Sequence, residues 1–327
     1  MKVLVVGGAG YIGSHTTYEL IRAGHEVIVL DNLSTGSTEN VHPQARFVWG
    51  DIRRKSDIVH VLNAEAQAGA PVEVAMHFAA KLIVPESVEQ PLAYYENNVE
   101  GLRTMLEALV ECGVKNIVFS STAAVYGEPI TPECDEGDAT EPINPYGETK
   151  LACEKMIAWV GAAHDLNYCI LRYFNVAGAD ASLKIGLDKD QLTHLIPLIM
   201  QAALGIREKL FIFGDDYDTP DGTCIRDYVH VTDLAQAHVL GAEYILNNKT
   251  SLLANLGSGS GFSVREVVDA ARKLFEVPFE YAPRRPGDPA KLIARIERAD
   301  KILKWKPQHN LQSILKSDYE FRKRRIG

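Results

Sequence analysis

Six short apolar runs punctuate the first half of this 327-residue chain: Val3–Val6, Val27–Leu30, Phe47–Trp49, Val74–Phe78, Ile117–Ser120 and Cys169–Arg172. Each is rich in β-branched or aromatic residues and too short for a helix, the pattern of a strand buried on both faces. Between them lie stretches of helical character, including Ser14–Ala23, Pro91–Cys112 and Tyr146–Ala163. Such repeated β-α-β spacing predicts an α/β fold, a doubly wound parallel sheet covered by helices on both faces. A sheet of that kind takes its ligand at the carboxyl ends of its strands. Beyond about Ala177 the rhythm breaks. Gly178–Gln191 is expected as a loop, Thr193–Leu204, Val231–Leu246 and Val264–Phe275 as helices, Phe211–Phe213 as a strand and Asp215–Gly222 as a polar turn. The expectation is a first domain over 1–176 and a smaller mixed α/β lobe over 177–327, with interleaved segments. The basic tail Arg322-Lys323-Arg324-Arg325 is expected to be a solvated end.

The first strand leads straight into Gly7-Gly8-Ala9-Gly10-Tyr11-Ile12-Gly13, and a helix follows. Glycines there let a backbone approach a pyrophosphate closely, and the helix start offers free N–H groups and a positive dipole end. A simple tight turn would also use glycines, but the strand–glycine–helix context favours a dinucleotide. Asp31 ends the second run, close to the separation of about 20 residues at which a carboxylate meets the ribose hydroxyls. It would repel a 2′-phosphate, and no Arg follows in Asn32-Leu33-Ser34, which favours NAD over NADP. Asp51, after the third run, is equally a loop cap or an adenine contact.

Tyr146 and Lys150 are four residues apart on a helix expected to start after Asn144-Pro145, hence on one face. A free tyrosine titrates near pH 10. A neighbouring ammonium and the positive charge of a nicotinamide would favour its anion, making Tyr146 a general base and, in reverse, an acid. Thr122, just past the fifth strand, faces the same cleft with a hydroxyl able to bond the reacting oxygen.

The net charge of −9 argues against nucleic acid and anionic membrane as main partners, so any phosphate ligand needs local cations. The five scattered cysteines, Cys112, Cys134, Cys153, Cys169 and Cys224, form no C-x-x-C, and neither a disulfide framework nor a metal site is expected. Strand character begins at Val3 and no apolar run approaches the roughly 20 residues of a membrane span, so a cytoplasmic protein without leader or membrane partner is expected.

Taken together, these residues resemble the extended short-chain dehydrogenase/reductase family, and within it the UDP-sugar 4-epimerases, nearly end to end. The likeness rests on the glycine turn and on Leu30-Asp31-Asn32-Leu33, Gly50-Asp51-Ile52-Arg53, His77-Phe78-Ala79-Ala80 and Tyr94-Tyr95-Glu96-Asn97-Asn98-Val99. It continues through Ser120-Ser121-Thr122-Ala123-Ala124-Val125-Tyr126-Gly127, Tyr146-Gly147-Glu148-Thr149-Lys150 and Arg172-Tyr173-Phe174-Asn175. Asp221–His230 and Ala282–Asp288 are closer to specific for the epimerases. The resemblance implies a Rossmann-type fold with NAD kept bound by Gly7, Gly10, Tyr11, Ile12, Gly13, Asp31, Asn32, Asp51, Ile52, Phe78, Ala79, Asn97, Ser121, Tyr146, Lys150 and Tyr173. It implies a UDP-sugar held by Thr122, Asn175, His194, Leu195, Phe211, Phe213, Arg226, Tyr228, Arg285, Asp288 and Leu292, with Arg226 and Arg285 on the diphosphate. The implied reaction is inversion at carbon 4 through a 4-keto sugar, with Tyr146 as acid and base beside Thr122 and Lys150. Helices Pro91–Cys112 and Tyr146–Ala163 are implied to pair in a homodimer.

Some positions depart from well-known members. Thr122 stands for a common serine and keeps its hydroxyl. Thr193-His194 stands for a frequent Asn-Asn pair, which leaves His194 as a contact or a satisfied core histidine. Leu292 stands where a tyrosine excludes N-acetylated sugars, so these are open as substrates. Lys81 and Leu82 are shifted relative to a cofactor-side lysine. A 4,6-dehydratase would carry carboxylates after the threonine, where Ala123 and Ala124 stand and cannot transfer protons. A uronate epimerase, a decarboxylase and a non-catalytic dinucleotide sensor remain as alternatives.

Overall fold

The structure, a computed structural model, describes residues 1–188, 193–284 and 289–326. The chain forms two compact units, one of residues 1–127, 140–172 and 235–254, the other of 128–139, 173–234 and 255–327.

The first unit is organised by a seven-stranded sheet. Its strands are β1 (Lys2–Val6), β2 (Glu26–Asp31), β3 (Arg46–Trp49), β4 (Val74–His77), β5 (Asn116–Thr122), β6 (Asn167–Tyr173) and β7 (Leu252–Leu256), in the order β7-β6-β5-β4-β1-β2-β3. The run β3-β2-β1-β4-β5 is parallel throughout. All six expected strands form, and β5 reaches two residues further, so Thr122 is its last residue rather than lying past it. The strand order reverses between β1 and β4, the point at which such sheets open a crevice for ligands.

Alternation of side chains explains why these strands are apolar throughout. Leu4, Val6, Ile28, Leu30, Ile117 and Phe119 pack on one face with Ile58 of α2 (Lys55–Gln67), Leu102 and Met105 of α3 (Gly101–Glu111) and Ile157 of α4 (Pro145–His164). Val3, Val5, Val27 and Val29 are equally buried and point to the opposite face. There α1 (Tyr11–Arg22) packs on β1 and β2 and is tied to α5 (Val231–Asn248) by the His25–Glu243 pair at 3.0 Å. Truncating Phe119 to alanine would cost about 3–5 kcal/mol.

The expected single helix over Pro91–Cys112 is interrupted. Pro91–Tyr94 is α-helical, Tyr95–Glu100 widens into a π-turn, and α3 resumes at Gly101. Asn98, buried in that wide turn, accounts for the break. Its amide accepts from the Lys81 N–H at 2.8 Å and donates to the Lys81 carbonyl and the Thr149 hydroxyl, both at 3.1 Å. Such turns recur at functional sites.

The second unit has a four-stranded sheet ordered 262–263, 225–226, 291–294 and 133–134, and two short parallel pairs, Asn175–Ala177 with Tyr228–His230 and Leu210–Phe213 with Phe279–Ala282. Helices Leu195–Ala203, Val264–Arg272 and Leu311–Ile326 close its core over Ile199, Met200, Ile212, Val267 and Leu315. A reciprocal cap between Ser263 and Glu266 starts the second of these helices. The basic tail is not a solvated end throughout. It closes the last helix, where Arg322 is buried, ion-paired with Asp318 at 2.5 Å and donating to the Leu187 carbonyl at 3.1 Å, because a residue four along a helix shares the inward face. Among the described residues no helix is long and apolar enough to cross a membrane.

Candidate active site

Tyr146 and Lys150 are both placed by α4. Asn144 caps this helix by accepting from the Gly147 N–H at 2.9 Å, and Pro145 fixes its first turn. A side chain on Gly147 would lie 2.6 Å from the Ala124 carbonyl oxygen. The first turn of α4 therefore seats directly on the 3₁₀ turn Ala123–Tyr126 that follows β5. That contact places Tyr146 beside Thr122, which acts on the phenol in favour of its anion. Thr122 also caps the 3₁₀ turn, accepting from the Ala124 N–H at 3.1 Å.

One turn further along α4, Lys150 is buried. Its ammonium donates to the Ser120 carbonyl at 2.7 Å and lies 4.8 Å from the centroid of the Phe119 ring. Burial brings it down to about 8, opposed by Cys153 and Glu154. Tyr146 goes the other way: burial pushes it up to about 12, against a smaller pull from Thr122. The protein's own residues thus do not produce the lowered tyrosine expected from the neighbouring ammonium, because the cost of a buried phenolate outweighs the pull of Thr122 toward the anion. His77, buried at the end of β4, is held neutral by burial and by Lys150, which bring it down to about 3.

The glycine turn occupies the switch point of the sheet. Gly7 has φ +85°, and a side chain there would meet the Ala79 backbone nitrogen at 2.5 Å, so the turn after β1 is pressed against the loop after β4. Gly10 differs. A Cβ on it would meet only the Gly7 carbonyl oxygen, at an ordinary 3.4 Å, and its φ of −79° suits any residue. The fold itself does not require a glycine there, whereas a pyrophosphate against the uncapped start of α1 would. Asp31 fits the same group. Its two oxygens accept from the Ala9 and Leu33 N–H at 2.9 and 2.8 Å, which leaves acceptor capacity on each for a hydroxyl.

The other expected cofactor positions are mixed. Asp51 is engaged by Arg53, at 2.7 Å from its guanidinium, and by Asn32 at 3.2 Å; the Arg53 hydrogen bonds hold it well below the usual carboxylate range, so it ties down its loop. Ile52 is buried in the core. Phe78 packs its ring 4.9 Å from that of His238, Tyr11 lies edge-on to His15, and Asn97 donates to Asn98 at 3.0 Å. Ser121 donates to Glu154, and Tyr173 closes β6.

In the second unit Arg226 pairs in register with Leu292, and Tyr228 with Asn175, whose amide donates to the Asp227 carbonyl at 3.1 Å. The buried Asp227 carboxylate accepts from the Ser258, Gly259 and Ala294 N–H and so ties three segments around Arg226. Phe211 and Phe213 share one strand, and Leu195 opens the helix Leu195–Ala203. His194 precedes that helix and is exposed, so the alternative of a core histidine does not hold. Arg285 and Asp288 lie outside the described residues. Among the described residues no cluster of His, Cys, Asp or Glu is placed to hold a metal. Sequence reasoning missed Asn98, Asp227, Glu154 and Arg172. Of these only Arg172, at the end of an apolar run, carried a signal of burial.

A parallel sheet with a glycine turn at its switch point and a Tyr/Lys pair beside the next strand defines a dinucleotide-type α/β protein. The chain belongs to the NAD dependent epimerase/dehydratase family, whose model matches residues 3–257. It is 49% identical over 326 residues to the UDP-glucose 4-epimerase of Halalkalibacterium halodurans, covering 99% of this chain and 96% of that one. The crystal structure of UDP-glucose 4-epimerase from Brucella ovis in complex with NAD superposes with a TM-score of 0.93 at 44% identity, covering 98% and 97% of the two chains. The UDP-Glc/GlcNAc 4-epimerase of Campylobacter jejuni superposes with a TM-score of 0.86 at 41% identity over 99% of both.

Proposed function

We propose that this chain interconverts UDP-glucose and UDP-galactose by inverting carbon 4 through a 4-keto sugar, with NAD as resident cofactor. The observation that carries the reading is the placement of Tyr146 beside Thr122 at the end of β5, with Lys150 one turn further along α4 and bonded to the Ser120 carbonyl. Gly7, Gly10 and Gly13 would receive the pyrophosphate and Asp31 a ribose. When bound, NAD supplies the hydride acceptor and donor, and its positive ring offsets the cost of a tyrosinate. Tyr146 takes the proton of the sugar's 4-hydroxyl and returns it, Thr122 holds the reacting oxygen, and Lys150 keeps a positive charge at the base of the phenol. Arg226, with Arg285, would hold the diphosphate, and Asn175, Phe211, Phe213, Tyr228 and Asp288 the rest of the nucleotide.

Ala123 and Ala124 after Thr122 carry no proton-transfer group, which disfavours a dehydratase. Leu292 leaves more room than a tyrosine would, and the Campylobacter jejuni relative takes, by its name, both UDP-Glc and GlcNAc, so N-acetylated UDP-sugars belong to the proposed range. The exposed apolar side chains Val88, Leu92 and Trp159, on or beside the helices of 91–111 and 145–164, support a homodimer. Five free cysteines and the lack of a membrane-crossing helix among the described residues support a cytoplasmic location.

The test is product NMR on purified protein given UDP-galactose and then UDP-N-acetylgalactosamine without added nucleotide. Conversion of both is expected. Conversion of neither, even with NAD supplied, refutes the reading. A monomer in sedimentation at micromolar concentration refutes the homodimer.

A further inference from the structure

Behind the acid–base trio lies a polar cluster that the proton path does not use. Ser121, Tyr126, Glu154 and Arg172 are each at most 5% exposed. Arg172 grips the Glu154 carboxylate with two nitrogens, Nε to Oε1 at 2.9 Å and Nη2 to Oε2 at 2.6 Å. Its Nη1 donates to the Tyr126 hydroxyl at 3.1 Å, and its guanidinium lies 5.0 Å from the centroid of that ring. Ser121 donates its hydroxyl to the same Oε1.

Burying two charges costs several kcal/mol per ion, and their attraction recovers this only when every remaining polar site is satisfied. An apolar pair of similar volume would stabilise the fold as well or better. What an apolar pair would not do is join these particular elements. Ser121 immediately precedes Thr122 at the end of β5, Glu154 lies one turn beyond Lys150 on the same face of α4, and Arg172 comes from β6. One carboxylate thereby fixes α4 against the strand end that carries the other half of the site.

We propose that Glu154 is a positioning residue for the trio: its carboxylate, shared between Ser121 and Arg172, sets the seating of α4 on β5 and so the Tyr146–Thr122 contact. This assignment rests on the acid–base reading given above. It carries an electrostatic consequence. The groups acting on Lys150 are Cys153 and Glu154 from α4, with Arg172 of β6 behind Glu154, and Lys150 in turn acts on His77 of β4. His77 is neutral, and burial pushes the Cys153 thiol up to about 12, so Glu154 is the negative charge that keeps Lys150 protonated.

The experiment uses full-length protein carrying its cofactor. Glu154→Gln keeps shape and can still accept from Ser121 but removes the charge; the double variant Glu154→Gln/Arg172→Met also removes the cation left behind. Expected for Glu154→Gln are a KM within twofold of the parent, a kcat at least tenfold lower and an alkaline limb of kcat moved to lower pH. The double variant should regain thermal stability while kcat stays low; if the single variant does not fold, the double decides. A kcat and pH limb unchanged in the single variant, or a kcat restored together with stability in the double, would overturn the proposal and leave the cluster purely structural. Tyr146→Phe runs alongside. If the parent does not turn over UDP-galactose, or Tyr146→Phe still does, the acid–base reading itself fails, whatever Glu154 does.

Discussion

Gly10 and Gly13 lie on one turn of chain, yet replacing each by alanine should do opposite things. At Gly10 the new methyl meets only the Gly7 carbonyl oxygen at 3.4 Å, in extended backbone that alanine adopts freely. Alanine is a poorer N-cap than glycine, a loss of up to about 1 kcal/mol. The reduced freedom of the unfolded chain returns about 0.4–1 kcal/mol. The net change is within about 1 kcal/mol, a melting shift of a few degrees at most. At Gly13 the methyl would sit 2.2 Å from the same oxygen and 2.9 Å from the Gly8 Cα, so backbone must move. Overpacking of that kind costs about 1–3 kcal/mol or more, against about 1 kcal/mol from better helix propensity. The assay is thermal unfolding of cofactor-stripped protein, since a bound ligand would raise both midpoints, together with NAD affinity by titration. Gly10→Ala should melt like the parent and bind NAD at least a hundredfold more weakly. Gly13→Ala should lose stability even when stripped. If Gly10→Ala keeps the parent's affinity, the absence of a side chain there has nothing to do with a pyrophosphate and the cradle argument is wrong.

Three further outcomes are expected. Tyr146→Phe should retain fold and NAD while turnover falls by about 10²–10⁴, read by NMR; a loss below tenfold would remove Tyr146 from the chemistry. Lys150 falls from 10.5 to about 8 in the fold, a gap worth about 3 kcal/mol. Between those values the unfolded chain binds the extra proton, so this cost is fully present below pH 8 and is relieved as pH rises to 10.5. Lys150→Met should lack that rise in denaturant titrations from pH 7 to 10, and parallel curves would contradict it. Leu292→Tyr should abolish conversion of UDP-N-acetylgalactosamine and spare UDP-galactose; equal loss of both would mean that position 292 does not gate the acetamido group.

The sheet was legible because parallel strands buried on both faces have no polar alternation to dilute the signal, and the loops at their carboxyl ends followed from that alone. Tyr146, Lys150 and Thr122 were legible from spacing, and the structure brings all three to the end of β5. The π-turn at Tyr95–Glu100 was not, since one wide turn leaves the apolar pattern of a helix almost unchanged. Glu154 also escaped notice. A glutamate on a helix reads as a solvated residue unless its partner is known, and that partner lies 18 residues on in a strand. Arg322 misled for the same reason, because its place among four basic residues concealed a carboxylate one turn back. The direction taken by Tyr146 depends on how much water the fold removes, which spacing does not encode.

The order in which the chain visits its two units has a bearing on how it is made. It passes between them five times, and residues 235–254, which belong to the first unit, are synthesised after about half of the second. A ribosome that has released residue 172 has therefore not yet supplied any of α5 or of the edge strand β7. The early chain must wait with one sheet edge unpaired and the helix that bonds to Glu19 and His25 still missing. No single cut of the chain separates the two units, and shortened chains should be sought among chaperone clients and aggregates rather than among stable fragments.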